Sequence, residues 1–131
     1  NILSTSDRTV EVMYEATGTT AQNYTSLTSV KIPETVVYNN RTYTVVAIDD
    51  YAFDPNGRAD LVASNTTLTS VQIPKTVKRI GVNAFYSCEG LEEVIIPEGV
   101  THIGRSAFSG CTYLSNVQLP EGVTDIGEYA F

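Results

Sequence analysis

The feature that most constrains this chain is a sequence pattern that returns every 23 residues between Leu68 and Phe131. The pattern is L-x-x-V-x-[IL]-P-x-x-V-x-x-I-G-x-x-A-F-x-x-C, and its three copies open at Leu68, Leu91 and Leu114. A fixed step of this length is typical of stacked structural repeats and predicts a solenoid. The third copy stops at Phe131, before the x-x-C, as expected of a truncated or incompletely covered chain or of an uncapped C-terminus.

Each part of the pattern has a structural reason. In L-x-x-V-x-I, the apolar fourth and sixth positions alternate with the fifth, which indicates a short strand that pairs in parallel with its equivalent in the next repeat. Proline lacks an amide hydrogen and ends each strand. V-x-x-I returns to the core, and the glycine after it is expected to adopt a positive φ at a turn. The phenylalanines are expected to stack as an interior ladder of Phe53, Phe85, Phe108 and Phe131. No repeat can bury this apolar side alone, so stability is expected to come from neighbouring repeats.

An earlier copy begins at Leu27, 41 residues before Leu68, and carries two insertions of nine residues each. The first insertion, 37–45, has β-forming residues on both sides of two asparagines. It predicts a tight hairpin, because Asn tolerates positive φ. The second insertion, which includes 54–60, begins with turn-forming residues and predicts a loop.

The N-terminal residues lack the pattern. Alternation at 9–14 predicts a strand, and the Thr-, Gly- and Asn-rich segment 15–25 predicts a loop. A solenoid must shield its first repeat from water, so an atypical leading segment is expected. The predicted organisation is an N-terminal β cap at 1–26 and a solenoid at 27–131, divided into a decorated repeat at 27–67, repeats at 68–90 and 91–113, and a partial repeat at 114–131.

Composition narrows the classes of partner. A chain of 131 residues with a hydrophobic fraction of 42% is expected to form one compact unit. The formal net charge of −7 disfavours nucleic acid and anionic membrane surfaces, because both require clustered basic side chains. No apolar run reaches the roughly 18 residues needed to span a bilayer. The chain begins at Asn1 without a Met, as expected after removal of an upstream segment; a cleaved signal peptide and an artificial start both fit.

Few residues suggest chemistry. Cys88 and Cys111 share one repeat position and are interpreted as buried thiols that act as small apolar side chains. A disulfide or a metal pair is the alternative, although two Cys without a nearby His fall short of a zinc motif. His102 lies between Arg79 and Asp125 at equivalent repeat positions, which predicts a solvent-exposed charge row. No nucleophile motif accompanies this histidine. We expect no catalytic residue, no cofactor and no metal.

The recurring Leu, Val, Pro, Ile-Gly, Ala-Phe and Cys over 27–131 resemble the 23-residue leucine-rich repeat of the BspA-like class, also called the Treponema pallidum type. Residues 32–36 and 43–45 are similar to the first repeat of such proteins from gut and oral Bacteroidales. The resemblance implies an α/β-type solenoid, a right-handed coil with a parallel β-sheet on its concave side and few helices. It also implies a secreted or cell-surface protein, its signal peptide removed, with roles in adhesion and protein or matrix binding. The chain lacks the Asn ladder of commoner leucine-rich repeats.

The outward strand positions form a polar grid that lacks the aromatic side chains typical of protein hot spots. Glu92 and Glu93 are adjacent in sequence, so on a strand they face opposite ways or lie at its start, and acid–base catalysis by this pair is not expected. The first-repeat hairpin, 37–45, and the following loop, 54–65, are expected to carry much of any specificity, as loops on a rigid scaffold commonly do. The candidate ligand-binding residues are Lys31, Gln72, Glu92, Glu93, Ile95, Asn116, Gln118, Tyr38 and Tyr43.

Three functions are considered. The first is a non-catalytic surface or secreted protein that binds a protein, matrix or glycan partner. The second is a structural spacer within a larger surface protein. The third, a surface hydrolase, is disfavoured because the sequence carries no recognisable nucleophile or acid–base motif.

Overall fold

The computed structural model describes residues 28–54 and 64–131, together with the backbone of two strands nearer the N-terminus. The strands are β1 (Ile2–Ser4), β2 (Thr9–Val12), β3 (Ser29–Lys31), β4 (Thr35–Tyr38), β5 (Arg41–Ile48), β6 (Ser70–Gln72), β7 (Arg79–Ile80), β8 (Glu93–Ile95), β9 (His102–Ile103), β10 (Asn116–Gln118) and β11 (Asp125–Ile126). No helix occurs in this part of the chain, and therefore none of the length and hydrophobicity needed to cross a membrane. The predicted loop at 15–25 and residues 55–63 of the predicted loop at 54–65 lie outside the described residues.

The described strands form two sheets, and every repeat contributes to both: each of the three later repeats gives one strand to each sheet, and the first gives β3 to one and β4 and β5 to the other. The four-stranded sheet has the order β3-β6-β8-β10, with every pair parallel. In the seven-stranded sheet, β5, β7, β9 and β11 also pair in parallel. This stacking confirms the predicted leucine-rich repeat solenoid. The second strands of the three later repeats, β7, β9 and β11, were not predicted, because a strand of only two residues leaves no alternation to detect.

The N-terminal strands extend the seven-stranded sheet. Strand β2 pairs in parallel with β5, and β1 pairs antiparallel with β2. The predicted strand at 9–14 is confirmed over Thr9–Val12. These two strands cover the edge of β5 that faces away from the following repeats, which is where a cap is needed. The boundary between cap and solenoid at 26/27 stays a prediction.

The interior contains the predicted ladder of phenylalanine rings. The ring centroids of Phe53 and Phe85 are 4.9 Å apart, those of Phe85 and Phe108 are 5.1 Å apart, and those of Phe108 and Phe131 are 5.3 Å apart. The rings are almost parallel, with interplanar angles of 4°, 6° and 3°. Their spacing is close to the distance between hydrogen-bonded strands, roughly 4.8 Å. The step between repeats therefore sets the packing of the rings.

The first insertion forms the predicted hairpin. Strands β4 and β5 pair antiparallel, with Tyr38 opposite Arg41. Asn39 and Asn40 form the two-residue turn with φ values of 47° and 56°. Two successive positive φ values suit a turn whose twist matches that of the strands, and Asn adopts them at low cost.

The predicted positive φ at the glycine after V-x-x-I is wrong. Among the described glycines, the positive φ belongs to Gly110. Gly104 is instead required by close approach, because a Cβ there would lie 2.5 Å from the carbonyl carbon of Gly81. The positive φ of each turn falls two residues after this position, at Tyr51, Asn83, Ser106 and Tyr129, with values between 52° and 60°.

Candidate binding surface

The outward face of the four-stranded sheet consists of the first and third residues of each strand. In β6 and β8 the middle residue is buried and both flanking residues are exposed. Strands β3 and β10 repeat this arrangement with a half-buried middle residue. Strand pairing aligns the outward side chains in two rows: Ser29, Ser70, Glu93 and Asn116 in the first, and Lys31, Gln72, Ile95 and Gln118 in the second.

Six of the nine predicted ligand-binding residues therefore share one surface: Lys31, Gln72, Glu93, Ile95, Asn116 and Gln118. Glu92 is exposed immediately before β8, at the edge of the same surface. Ser29 and Ser70 complete the two rows, although the prediction did not include them. The 23-residue step places Ser70 beside Glu93, whereas Ser29 is placed by aligning the first copy of the pattern, which begins 41 residues before Leu68.

The two tyrosines of the hairpin differ in their burial. Tyr38, next to the turn, is 56% exposed, whereas Tyr43 is only 8% exposed and belongs to the core cluster. Alternation along β5 causes this difference, because Tyr43 points to the same side as the buried Val45 and Ala47. Tyr43 was predicted to contact a ligand, but burial removes its ring from the surface, and only Tyr38 remains available there.

The residue just before each strand of the four-stranded sheet carries a hydroxyl group, except before β8. Thr69 Oγ1 donates to the carbonyl of Thr28 at 3.0 Å, and Ser115 Oγ donates to the carbonyl of Glu92 at 3.5 Å. Glu92 occupies the equivalent position in its own repeat and carries a carboxylate in place of a hydroxyl. The hydroxyl that hydrogen-bonds the preceding repeat just before β6 and β10 is therefore replaced, before β8, by an exposed carboxylate.

The carboxylates beside β8 have no cationic partner among the described residues, since no Lys, Arg or His nitrogen lies within ion-pair distance of Glu92 or Glu93. Asn116 Nδ2 donates to Glu93 Oε1 at 3.1 Å, which orients this carboxylate across the sheet. The one cation of the outward face, Lys31, lies on β3, two strands away from β8. Within the described part of the chain, the negative charge at the centre of the surface is therefore not compensated by a cation at ion-pair distance.

The predicted charge row lies on the seven-stranded sheet. Arg79, His102 and Asp125 are aligned by strand pairing. His102 Nε2 lies 3.1 Å from Asp125 Oδ2, and Arg79 Nη1 lies 3.0 Å from Asp50 Oδ1. The His102 and Asp125 side chains are both more than half exposed. The row is therefore confirmed as a solvated one, in which an ion pair contributes little to stability.

A threonine hydroxyl completes an apparent hydroxyl–imidazole–carboxylate series, because Thr101 Oγ1 lies 2.7 Å from His102 Nδ1. The same hydroxyl also contacts the carbonyl of Lys78 at 3.3 Å. Thr124 repeats this contact one repeat later, 3.2 Å from the carbonyl of Thr101, where no histidine follows. The position of Thr101 thus follows from repeat stacking. The trio lies on an exposed surface without the enclosed oxyanion site that acyl transfer requires.

The two cysteines occupy equivalent places in the interior and are free thiols. Cys88 Sγ donates to the carbonyl of Phe53 at 3.3 Å, and Cys111 Sγ donates to the carbonyl of Phe85 at 3.2 Å. Burial raises the pKa of both thiols, that of Cys111 to about 12. The interpretation as small packed side chains is confirmed, fully for the buried Cys88 and in part for the half-buried Cys111. Within the described ranges, no group of three or more His, Cys, Asp or Glu side chains is placed to hold a metal ion.

Comparison with known proteins agrees with this architecture. Residues 48–131 match the family model of the BspA type leucine rich repeat region in six copies. A leucine-rich repeat protein from Bacteroides ovatus ATCC 8483 is 32% identical with a TM-score of 0.73, over 100% of this chain and 36% of that one. Another from Bacteroides capillosus ATCC 29799 is 26% identical with a TM-score of 0.74, over 95% of this chain and 81% of that one.

A third solved structure, the leucine rich repeat protein of T. pallidum, shares the fold at 21% identity and a TM-score of 0.68, over 99% of this chain and 62% of that one. The chain thus spans less than two thirds of the Bacteroides ovatus and T. pallidum proteins. No curated protein sequence matches it. The family match covers well over half of the chain. The chain therefore belongs to the BspA-type leucine-rich repeat family.

Proposed function

We propose that this chain is a non-catalytic binding module, and that the outward face of its four-stranded sheet receives a protein or matrix partner at the cell surface or outside the cell. One observation supports this above the others. Eight outward side chains lie in two straight rows on a sheet whose opposite side is buried in the core. The backbone beneath them is held by hydrogen bonds from repeat to repeat, so the surface is preorganised and little ordering entropy is lost on binding.

The first-repeat hairpin is proposed as a second point of contact. Val37 and Tyr38 are among its exposed side chains, with 71% and 56% of their surface accessible. The hairpin is stiffened by its two-residue turn and by pairing of β4 with β5. An exposed aromatic ring on a rigid projection is a frequent anchor in protein interfaces. A partner that spans the sheet and reaches the hairpin would make both contacts.

The proposal is tested by binding of this chain to a panel of immobilised matrix proteins, secreted proteins and glycans. Ser70→Arg places a bulky cation in the first row beside Glu93 and is expected to reduce the captured signal for any partner that uses the sheet. Thr112→Arg makes the same change of charge at an exposed site outside the strands, in the turn before β10, and is the matched control. Partners captured equally by both variants would contradict the proposed surface. No capture from the whole panel would favour the structural spacer instead.

The hairpin contact has its own matched pair. Tyr38→Ala is expected to weaken capture of the same partners, while Tyr113→Ala, which removes a ring that is 69% exposed elsewhere on the surface, is expected to leave capture unchanged. Equal effects of the two substitutions would remove the hairpin from the interface.

A further inference from the structure

Strand β8 differs from the other strands of its sheet at every outward position. In the first row, Glu93 stands among two serines and an asparagine, and in the second, Ile95 stands among a lysine and two glutamines. Just before the strand, Glu92 replaces the Thr or Ser of the other repeats. Its inward residue Val94 keeps the repeat pattern and is buried. The departure is therefore confined to the surface, where packing does not demand it.

Resting on the proposed function, we propose that β8 is where this surface recognises its partner, and that the partner contributes an extended segment with a Lys or Arg two residues from an aliphatic side chain. In an extended chain, residues i and i+2 lie on one side and are separated by roughly 7 Å. Glu93 and Ile95 are related in the same way on β8. A segment lying along β8 therefore brings its basic side chain to Glu93 and its aliphatic side chain to Ile95.

The charge of the surface selects the basic end of this segment. Glu92 and Glu93 lie side by side without a cation within ion-pair distance among the described residues. Asn116 holds one oxygen of Glu93, and no described side chain donates to the other oxygen. With a formal net charge of −7, the chain attracts cationic partners over longer range as well.

Ile95 selects the aliphatic end. It is 55% exposed in the middle of a polar row, and its neighbours in the row are Gln72 and Gln118. Covering an exposed aliphatic side chain removes apolar surface from water without breaking a hydrogen bond, which favours association. The flanking glutamine amides can donate and accept, so they are suited to hydrogen-bond the backbone of the segment.

The test is an amide proton–nitrogen NMR titration of the whole chain with the peptide Gly-Thr-Ser-Lys-Ser-Leu-Ser-Thr-Gly. We expect shifts concentrated in β8 and the adjacent strands β6 and β10. A second peptide with Glu in place of Lys, and a third in which Lys and Leu are adjacent, are expected to produce much smaller shifts. No shifts in β8, or equal shifts with all three peptides, would overturn the inference.

Two pairs of variants assign the contacts. Glu93→Gln is expected to weaken the lysine peptide roughly two- to fivefold, as for an exposed ion pair, whereas Glu128→Gln makes the same charge change off the sheet and is expected to have no effect. Ile95→Thr is expected to weaken binding roughly tenfold. Ile126→Thr, at a residue 51% exposed on the other sheet, is its control. Equal losses in variant and control would also contradict the inference.

These outcomes remain distinct from those of the proposed function. If Ser70→Arg abolishes capture of a partner while Glu93→Gln and Ile95→Thr leave capture unchanged, the sheet binds but β8 does not select the partner. If Ser70→Arg has no effect on any captured partner, the sheet is not the binding surface, and both proposals fail.

Discussion

The interior of the solenoid and the outward face of its four-stranded sheet share the same 23-residue step, but residue identity is kept from repeat to repeat in the interior and varies on the outward face. In the interior, one repeat position is Phe four times over, and each ring stacks on the next. On the outward face, one row contains Ser, Ser, Glu and Asn. An interior side chain is fixed by the equivalent residue above and below it, whereas an outward side chain mainly contacts water. The difference shows where this fold can vary and therefore where it can encode recognition.

The largest effect is expected from truncating a side chain of the phenylalanine ladder. Phe85 is fully buried between two rings, whereas Phe131 is 50% exposed and stacks on one side only. Phe85→Ala is expected to lower the free energy of unfolding by about 3–5 kcal/mol, because it leaves a cavity that its neighbours cannot fill. Phe131→Ala is expected to cost clearly less. Urea denaturation of both variants measures the difference, and similar losses would mean that stacking between two repeats adds nothing to stacking on one.

The second test concerns backbone approach between repeats. A Cβ on Gly104 would lie 2.5 Å from backbone carbon of Gly81, whereas a Cβ on Gly122 would find its nearest backbone atom at 3.4 Å. Gly104→Ala must push two repeats apart and is expected to destabilise the fold by about 1–3 kcal/mol. Gly122→Ala is expected to be neutral or slightly stabilising, since it reduces the entropy of the unfolded chain. Thermal melts of the pair give the sign of each effect, and an equally destabilised Gly122→Ala would refute the explanation by close approach.

The third test uses the interior thiols. Burial, with smaller contributions from Cys111 and Asp54, raises the pKa of Cys88, and burial raises the pKa of Cys111 from 9.0 to about 12. The folded chain keeps these protons where the unfolded chain loses them, so their contribution to stability is present below pH 9 and is lost as pH rises toward 12. The Cys88→Ala, Cys111→Ala double variant is therefore expected to lose less stability than the parent between pH 9 and pH 11. Urea midpoints of both proteins across this range measure the effect, and parallel curves would contradict the assigned shifts.

The interior position of Cys88 is one of several features that could be predicted from the sequence. The step, the phenylalanine ladder, the Asn39-Asn40 hairpin and the placement of Cys88 in the interior were predictable, because each depends on apolar periodicity or on local turn chemistry. The role of Gly104 was not, since only the assembled repeats show how closely their backbones approach. The burial of Tyr43 was likewise missed, because the insertion that contains it has no counterpart in the other repeats. The sequence already shows that the outward residues of β8 differ from those of the other three strands. The proposal that β8 selects the partner required two structural observations: the exposure of Ile95, and the lack of an ion-pair partner for Glu93 among the described residues.

The smallest expected effect comes from a position that belongs to neither side of the comparison. The third residue after the V-x-x-I segment has a positive φ in every repeat, yet its identity changes from Tyr51 to Asn83, Ser106 and Tyr129. Here the backbone is constrained and the side chain is not. Tyr129 has a φ of 56° and a side chain that is 72% exposed, so its ring packs little while its backbone is strained.

Tyr129→Asn is expected to raise the free energy of unfolding by up to roughly 1 kcal/mol, because Asn adopts positive φ more readily than an aromatic residue. Tyr113→Asn removes a ring of similar exposure from a position without positive φ and is expected to give no gain. Chemical denaturation of the two variants separates relief of backbone strain from loss of an exposed ring. A gain shared by both would assign the effect to the ring. A loss of stability confined to Tyr129→Asn would show that this ring contributes packing energy to the last repeat. The position would then behave like the interior side chains.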